Sequence, residues 1–434
     1  MSDTPNPPVT ELGFGNVNPA TWWGSIDEPT PELRWPLNVK VYDRMRRTDT
    51  QVQSVLRAVT MPIRRTSWRL SPNGARDEVV AQIAEDLGLP IDGDSDVPRP
   101  VRTRDRFSWT EHLRLAMLSL VFGHMPFEQV CRLDERGRVR LRKLAPRMPA
   151  TISEFDVARD GGLRSIVQDP PSWSSPTELL RGQKPPRAVR IPINRLVVYS
   201  NEREAGNWQG QSMLRAAYKF WLLKDRILRI QAMTLDRNGM GLPLYKGAAK
   251  NEDLKPGLQM ATDWRSGEAA GAAVPNGADL LLRGVEGDLP DADRVIRYYD
   301  EQIARGALLH FLNLGTQTGS WALGSTFAEF FQMSLQTLAD DVKDVVDQHV
   351  IEDLVDWNWG IDERAPRLIC DEIGSRHPAT PEALKALADA GIVLPDRDLE
   401  QAVRHLYGLP PKGAYSQPAG SAPNPAPAPG GTTP

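Results

Sequence analysis

The sequence predicts an α+β protein. Paired runs of alternating apolar residues, with turn signals between them, occupy the first half of the chain, and two long amphipathic helices dominate the second half. With 434 residues, the chain exceeds the usual size of one domain, so two or more structural regions are expected. The hydrophobic fraction of 40% and the charged fraction of 25% are those of an ordinary folded protein.

Charge and cysteine content exclude several function classes. The 52 basic and 56 acidic residues give a net charge of −4, which argues against a protein that grips nucleic acid along a broad basic face. The two cysteines, Cys131 and Cys370, are too few for a disulfide framework and suit a reducing cytoplasm. We recognise no secretory signal and no apolar run long enough to span a membrane, so no membrane association is expected.

The N-terminal part is expected to be an extended arm followed by helices. Residues 1–36 are rich in Pro, Asn and Gly, and their tryptophans need a groove on the same subunit or on a neighbour. These tryptophans are Trp22, Trp23 and Trp35. Helical spacing begins at Val39, and Pro62 is expected to end that run. Further helices are predicted at 76–87 and around 113–121.

Two β-hairpins are predicted in the first half. Residues 127–133 and 139–144 form one pair of alternating runs, and residues 151–157 and 163–167 form the other, each around a Gly-containing turn. An apolar strand follows at 195–199. Together these strands predict an antiparallel sheet.

Two long helices are predicted in the second half, at 212–238 and 325–356, because their apolar residues recur every three or four positions. Ser325 or Thr326 can cap the start of the later helix. A shorter helix is expected at 290–309. At about 1.5 Å per residue, the helix at 325–356 would outgrow a small core, which suggests a bundle or an assembly.

The two long helices carry opposite charge. The earlier one has four more basic than acidic residues, and the later one has seven more acidic than basic residues. Both could be solvated faces, or the two helices could pair with each other.

Enzyme and metal signatures are absent from the sequence. It contains no phosphate-binding Gly-x4-Gly-Lys motif, no His-Glu-x2-His, no Gly-x-Ser-x-Gly and no Cys-x2-Cys. The segment Asp92–Asp96 starts like a calcium loop, but Val97 and Thr103 stand where that loop needs Gly and Glu. The six histidines lack ligand spacing. No enzymatic activity, metal or cofactor is therefore predicted.

Taken in order, these segments resemble the portal proteins of tailed phages, in the branch that includes Mu-like and many actinobacteriophage portals. The resemblance extends from about Asp43 to Leu409 and depends on the collinear order of several motifs. The motifs are Asp49–Leu56 with Thr66–Trp68, Leu120–Glu128, Gly210–Leu214, Gly241–Pro243 and the loop before the long acidic helix.

The resemblance implies a phage portal architecture with an antiparallel-sheet wing, long stem helices, a small clip and a short helical crown. The corresponding regions are an N-terminal arm at 1–36, a wing at 37–208, stem helices at 209–238 and 290–310, a clip at 239–289, a channel loop at 311–324, a long helix at 325–357, a crown at 358–410 and a disordered Pro/Ala-rich tail at 411–434.

The resemblance also implies a function in the virion. The chain would form a homo-oligomeric ring, usually a dodecamer, at the head-tail vertex, and the ring would conduct double-stranded DNA during packaging, retention and ejection. The implied partners are the large terminase subunit, a head-tail adaptor, the major capsid protein and the scaffold.

Three groups of residues are expected to act in the channel. The loop residues that would contact DNA are Gly315, Thr316, Gln317, Thr318, Gly319, Ser320 and Trp321. The glycines free the backbone, the hydroxyl and amide groups offer neutral donors to phosphate, and Trp321 offers a bulky contact. The alternative is a plain connector between two helices. Asp340, Asp344 and Asp347 are expected to form an acidic wall along which DNA slides. The basic stem residues Lys224, Arg226 and Arg229 would either neutralise neighbouring acids or form cationic rings.

Two alternatives remain open at this point. One is another ring-forming head-tail connector or capsid-associated protein, although such adaptors are usually much smaller. The other is an enzyme with an unrecognised site, which would need a convergent acid-base set.

Overall fold

In the computed structural model of the chain, the described residues are 15, 28–94, 106–170, 187–240, 242–250, 253–263, 273–283, 291–307, 321–374 and 400. The predicted channel-loop residues 315–320, the tail at 411–434, most of the arm and most of the crown lie outside these ranges. The chain divides into two units, Met1–Ile373 and Gly374–Pro434. Of the second unit, only Gly374 and Glu400 are described.

Two helices, α1 (Leu37–Thr48) and α2 (Thr50–Arg65), begin the first unit after a 3-10 turn. The Asp49 carboxylate accepts hydrogen bonds from the N–H groups of Gln51 and Val52, at 2.8 and 3.0 Å, so it caps α2. The expectation that Pro62 ends this run is wrong. Helix α2 continues through Pro62 to Arg65: the proline lacks an N–H to donate, but its carbonyl still accepts a 3.0 Å hydrogen bond from the Thr66 N–H.

Among the described residues, the region predicted as the wing contains two small antiparallel sheets rather than one. The first has the order β3-β2-β7, with β2 at His124–Leu133, β3 at Val139–Pro146 and β7 at Leu196–Ser200. The second has the order β4-β5-β6, with β4 at Ile152–Val157, β5 at Leu163–Gln168 and β6 at Val189–Pro192. Both predicted hairpins are confirmed, because β2 pairs with β3 and β4 pairs with β5.

Short elements complete this region. They are β1 at Trp68–Ser71, α3 at Asp77–Leu87, α4 at Trp109–Ala116 and α5 at Ser119–Phe122. The helix expected around 113–121 is therefore broken in two at Met117 and Leu118. Strand β1 pairs with β10 (Arg367–Cys370), so that Trp68 lies opposite Cys370. This pairing joins the start of the first unit to its end.

The basic helix α6 (Tyr218–Met240) begins six residues later than predicted. The Ser212 hydroxyl donates to the Val121 carbonyl at 2.5 Å and accepts from the Leu214 N–H at 3.1 Å. These two bonds hold Ser212 in a turn, because a serine side chain competes with helical backbone bonding.

A hairpin, four helices and a π-helical turn follow among the described residues. The hairpin strands are β8 (Leu242–Lys246) and β9 (Asp279–Arg283), with α7 (Lys255–Thr262) between them in sequence. Helix α8 covers Ala292–Arg305 and α9 covers Trp321–Val346; a π-helical turn at Asp347–Ile351 then leads into α10 (Glu352–Trp359). The predicted helix at 325–356 therefore begins four residues earlier and is interrupted by this turn.

One large hydrophobic core joins these helices to the first sheet. It includes Val52 and Ile63 of α2, Phe127 of β2, Ile303 of α8 and Leu335 of α9. A smaller core lies on the second sheet around Ile166. Helix α2 thus packs against α8 and α9, the two helices on either side of the predicted channel loop.

Candidate functional site

Lys224 of the basic helix α6 lies at a junction of three helices. Its ammonium Nζ is 3.0 Å from Asp49, which caps α2, and 2.5 Å from Asp300 of α8. Only 7% of its side chain is exposed. Burial lowers the pKa of Lys224, but the two carboxylates more than offset this effect and raise the pKa above its usual value. Lys224 therefore stays charged and ties α2, α6 and α8 together.

The other two predicted stem residues are exposed. Arg229 forms an ion pair with Asp225 one turn away, at 3.0 Å, and Arg226 is exposed on the same helix. The structure therefore separates the three: Lys224 neutralises acids of its own subunit, whereas Arg226 and Arg229 remain available at the surface.

The acidic residues of α9 also divide into two kinds. Asp344 is exposed and Asp340 is partly exposed, with Lys343 3.7 Å away. Between them in sequence, Asp341 is exposed to solvent on one side, and partial desolvation of its carboxyl group together with repulsion from Asp344 and Asp340 raises its pKa. These carboxylates form an acidic surface on α9.

Asp347 does not belong to that surface, which corrects the prediction of an acidic wall that includes it. It begins the π-helical turn, its side chain is 2% exposed, and its carboxylate accepts a 2.8 Å hydrogen bond from the Leu368 N–H of β10. Burial raises its pKa to about 6, although the Leu368 N–H and the Arg367 guanidinium oppose the shift. Asp347 therefore fastens the turn to the β1–β10 pair.

The predicted channel loop is only partly covered by the structure. Gly315 to Ser320 lie outside the described residues. Trp321 is the first residue of α9, so it lies in this helix and not in the predicted loop. The flanking helices α8 and α9 both pack on α2, whose cap Asp49 contacts Lys224.

Asp49 and Asp300 are the site residues that sequence reasoning missed as partners of Lys224. Asp49 carries a signal that could have found it, since an Asp directly before an apolar helical repeat is a typical helix cap. Asp300 has no comparable signal, because it lies within a helix and only the packing of α8 on α6 brings it to Lys224.

A cavity lies in the region predicted as the wing. It has a volume of about 1060 Å³ and lies between the arm, β4 and the segment 202–215. Its Glu28 and Arg215 side chains already form two hydrogen bonds to each other, at 2.6 and 2.7 Å. No histidine occurs among its described lining residues.

The buried histidines are structural rather than catalytic. His112 lies 2.7 Å from the Tyr199 hydroxyl, and burial lowers its pKa to about 3. His124 lies 2.9 Å from the Gln209 carbonyl, and burial lowers its pKa to about 4. Both rings are therefore neutral at pH 7. Within the described ranges, no metal-binding cluster occurs, and no described helix is long and apolar enough to cross a membrane.

The fold is similar to that of chains in gene transfer agent particles. A chain in the virion of a native gene transfer agent particle matches with a TM-score of 0.52 and 12% identity, over 87% of this chain and 95% of that one. A chain in the neck of the native particle, computed with C12 symmetry, matches with a TM-score of 0.52 and 13% identity, over 87% and 95%. An HK97-family phage portal protein from Corynebacterium diphtheriae matches with a TM-score of 0.42 and 12% identity, over 80% and 96%.

The fold class is therefore one found in the neck of gene transfer agent particles. At the sequence level, the family described as portal protein of Mu bacteriophage matches residues 39–409. The chain belongs to this family. Portal proteins are structural and non-enzymatic, and this one forms the DNA channel at the head-tail vertex of a virion.

Proposed function

We propose that the chain forms a ring of twelve subunits through which double-stranded DNA enters and leaves the head, during packaging, retention and ejection. The observation that carries the proposal is the family match over residues 39–409. The twelvefold symmetry used for the similar neck chain supports the subunit number. The test is native mass spectrometry of the purified chain, which should give a particle of twelve 48.3 kDa subunits; a stable monomer would refute the ring.

The proposed regions follow the secondary structure. The wing comprises the two sheets and the helices around them, and the stem comprises α6 and α8. The clip is the segment with β8, α7 and β9, between the two stem helices in sequence. The long helix is α9, and the crown at 358–410 and the arm at 1–36 complete the subunit.

We propose that the clip at 239–289 is where the large terminase subunit and later the head-tail adaptor dock. Three clip leucines support this assignment, because Leu244, Leu254 and Leu258 are 43%, 56% and 67% exposed and a cluster of exposed apolar residues favours a protein interface. The major capsid protein and the scaffold would contact the outside of the ring.

A pair of surface variants tests the clip assignment. Leu254→Ser with Leu258→Ser should leave rings intact and abolish stable docking of terminase and adaptor in a pull-down assay. Leu133→Ser is the matched control, because Leu133 is 71% exposed on the β2–β3 hairpin and should have no effect on docking. Unchanged docking by the clip variant would refute the assignment.

We propose that the channel loop at 315–320 contacts DNA without reading its sequence, since glycines and neutral hydroxyl and amide donors suit a sliding duplex. Asp340 and Asp344 remain the proposed acidic wall. Shortening the loop to a tight turn should preserve ring assembly, while the amount of DNA retained in heads, measured by nuclease protection, should fall. Normal retention would show that the loop is only a connector.

A further inference from the structure

Helix α2 has a basic face with no partner in the described part of the chain. Arg57, Arg64 and Arg65 are exposed and form no ion pair with any described residue. Positions 57, 61 and 64 follow the i, i+4, i+7 spacing that defines one helical face. Met61, in the middle of this face, is 60% exposed. The helix itself carries no acidic residue, so nothing on it balances these charges.

Helix α9 has the opposite kind of face. Asp341 and Asp344 are exposed and form no ion pair with any described residue, and their mutual repulsion contributes to the raised pKa of Asp341. The same face continues toward the helix N-terminus with Met333 and Phe330, which are 56% and 54% exposed. On α9, the acidic residues Asp341 and Asp344 therefore lie next to exposed apolar side chains. On α2, in the same way, the basic residues lie next to Met61.

A closed ring of identical subunits requires two such faces. Neighbours in a cyclic ring meet through a heterologous contact, in which one surface of each subunit meets a different surface of the next. The two surfaces must therefore complement each other while lying on the same chain. Electrostatic complementarity also selects the correct partner and register.

We infer that the basic face of α2 in one subunit docks on the acidic face of α9 in the neighbouring subunit, with Met61 covering part of the apolar patch at Met333. This inference rests on the proposed ring. It moves Asp344 from the proposed acidic wall to the subunit contact and leaves the channel role to Asp340, which lies about 100° from Asp341 around the helix. The occupant of each face is thus a second copy of this chain.

Charge reversal on the full-length chain tests the inference. The variants are Arg57→Glu/Arg64→Glu/Arg65→Glu on α2 and Asp341→Lys/Asp344→Lys on α9. Each should raise the concentration for half-assembly at least tenfold, measured by native mass spectrometry or mass photometry at low salt. The chain with all five substitutions should assemble within threefold of wild type, and mixing the two separate variants should restore rings. Circular dichroism checks that each variant is folded.

The control reverses Arg136 and Arg164, which are exposed on the two wing hairpins, and should leave assembly unchanged. Variants that assemble like wild type, or a five-substitution chain that stays dispersed, would overturn the inference while leaving the ring in place. A wild-type chain that forms no ring would overturn the proposed function and this inference together.

Discussion

Replacing Lys224 with Met should destabilise the subunit, because the variant leaves the carboxylates of Asp49 and Asp300 without their shared cation. Methionine keeps an unbranched apolar side chain, so the change mainly removes charge. Removing one partner of a buried ion pair typically costs about 3–5 kcal/mol. The Asp300 side chain is 30% exposed, and water can stabilise it in part. We therefore expect a loss near the lower end, about 3 kcal/mol.

Two further variants separate the charge network from general damage. Lys224→Met/Asp49→Asn/Asp300→Asn should recover most of the loss, because Asn caps a helix about as well as Asp and no unpaired charge remains. Arg229→Met is the matched control on the same helix. Its ion pair with Asp225 is 3.0 Å long, with 68% and 45% of the two side chains exposed, so it should contribute less than about 0.5 kcal/mol.

The assay is thermal unfolding of the full-length variants at one protein concentration, followed by circular dichroism in the helical band. For a chain of this size, 3 kcal/mol should lower the midpoint by on the order of 5 °C. A Lys224→Met midpoint no lower than that of Arg229→Met would refute a stabilising role for Lys224. A triple variant no more stable than Lys224→Met would refute the reasoning from unpaired charge.

Two more predictions concern the backbone and a buried carboxyl group. Asp347 has a pKa of about 6 in the folded chain, above its unfolded value, so folding stability falls as the pH rises toward 6. Asp347→Asn, which can still accept a hydrogen bond from the Leu368 N–H, should raise the unfolding midpoint at pH 8 by an amount equivalent to about 3 kcal/mol and give no gain at pH 4. Equal midpoint changes at both pH values would contradict this. Gly210 has φ +60, and a Cβ at this position would lie 2.3 Å from the Gly123 carbonyl oxygen, whereas Gly137 has φ +75 and open space around it. Gly210→Ala should therefore lower the free energy of unfolding by about 3 kcal/mol and Gly137→Ala by about 1 kcal/mol. Equal shifts in the thermal midpoint would show that the chain relieves the close contact at Gly210 without cost.

Local signals in the sequence predict local structure well. The hairpins at β2–β3 and β4–β5 follow from alternation around Gly-containing turns, and the basic and acidic helices follow from apolar periodicity. These features depend on neighbours within a few residues. The pairing of β1 with β10 depends on residues almost 300 positions apart in sequence, and no local pattern indicates it.

The burial of Asp347 shows why the acidic wall could be predicted only in part from the sequence. Asp340, Asp344 and Asp347 have the spacing of one helical face, which predicts that all three side chains are exposed to solvent to a similar extent. The regular α-helix ends at Val346, however, and a π-helical turn follows, so the spacing rule stops at Asp347. Contact with Leu368 of a distant strand then buries the carboxylate. Similarly, Trp321 reads as loop because glycines flank it, yet it begins α9.

Two sets of charges in this chain have different physical roles. The buried set joins elements within the subunit: Lys224 links three helices, and Arg140 donates to the Asp86 carboxylate at 2.8 Å, with 11% and 3% of the two side chains exposed. Salt screens such pairs weakly. The exposed set comprises Arg57, Arg64 and Arg65 on α2 with Asp341 and Asp344 on α9, which form no ion pair with a described residue. In solvent, a Debye length of about 8 Å at physiological ionic strength limits the reach of these charges. Contacts made by this second set can therefore form and break without loosening the subunit fold, as a ring that assembles from folded subunits requires.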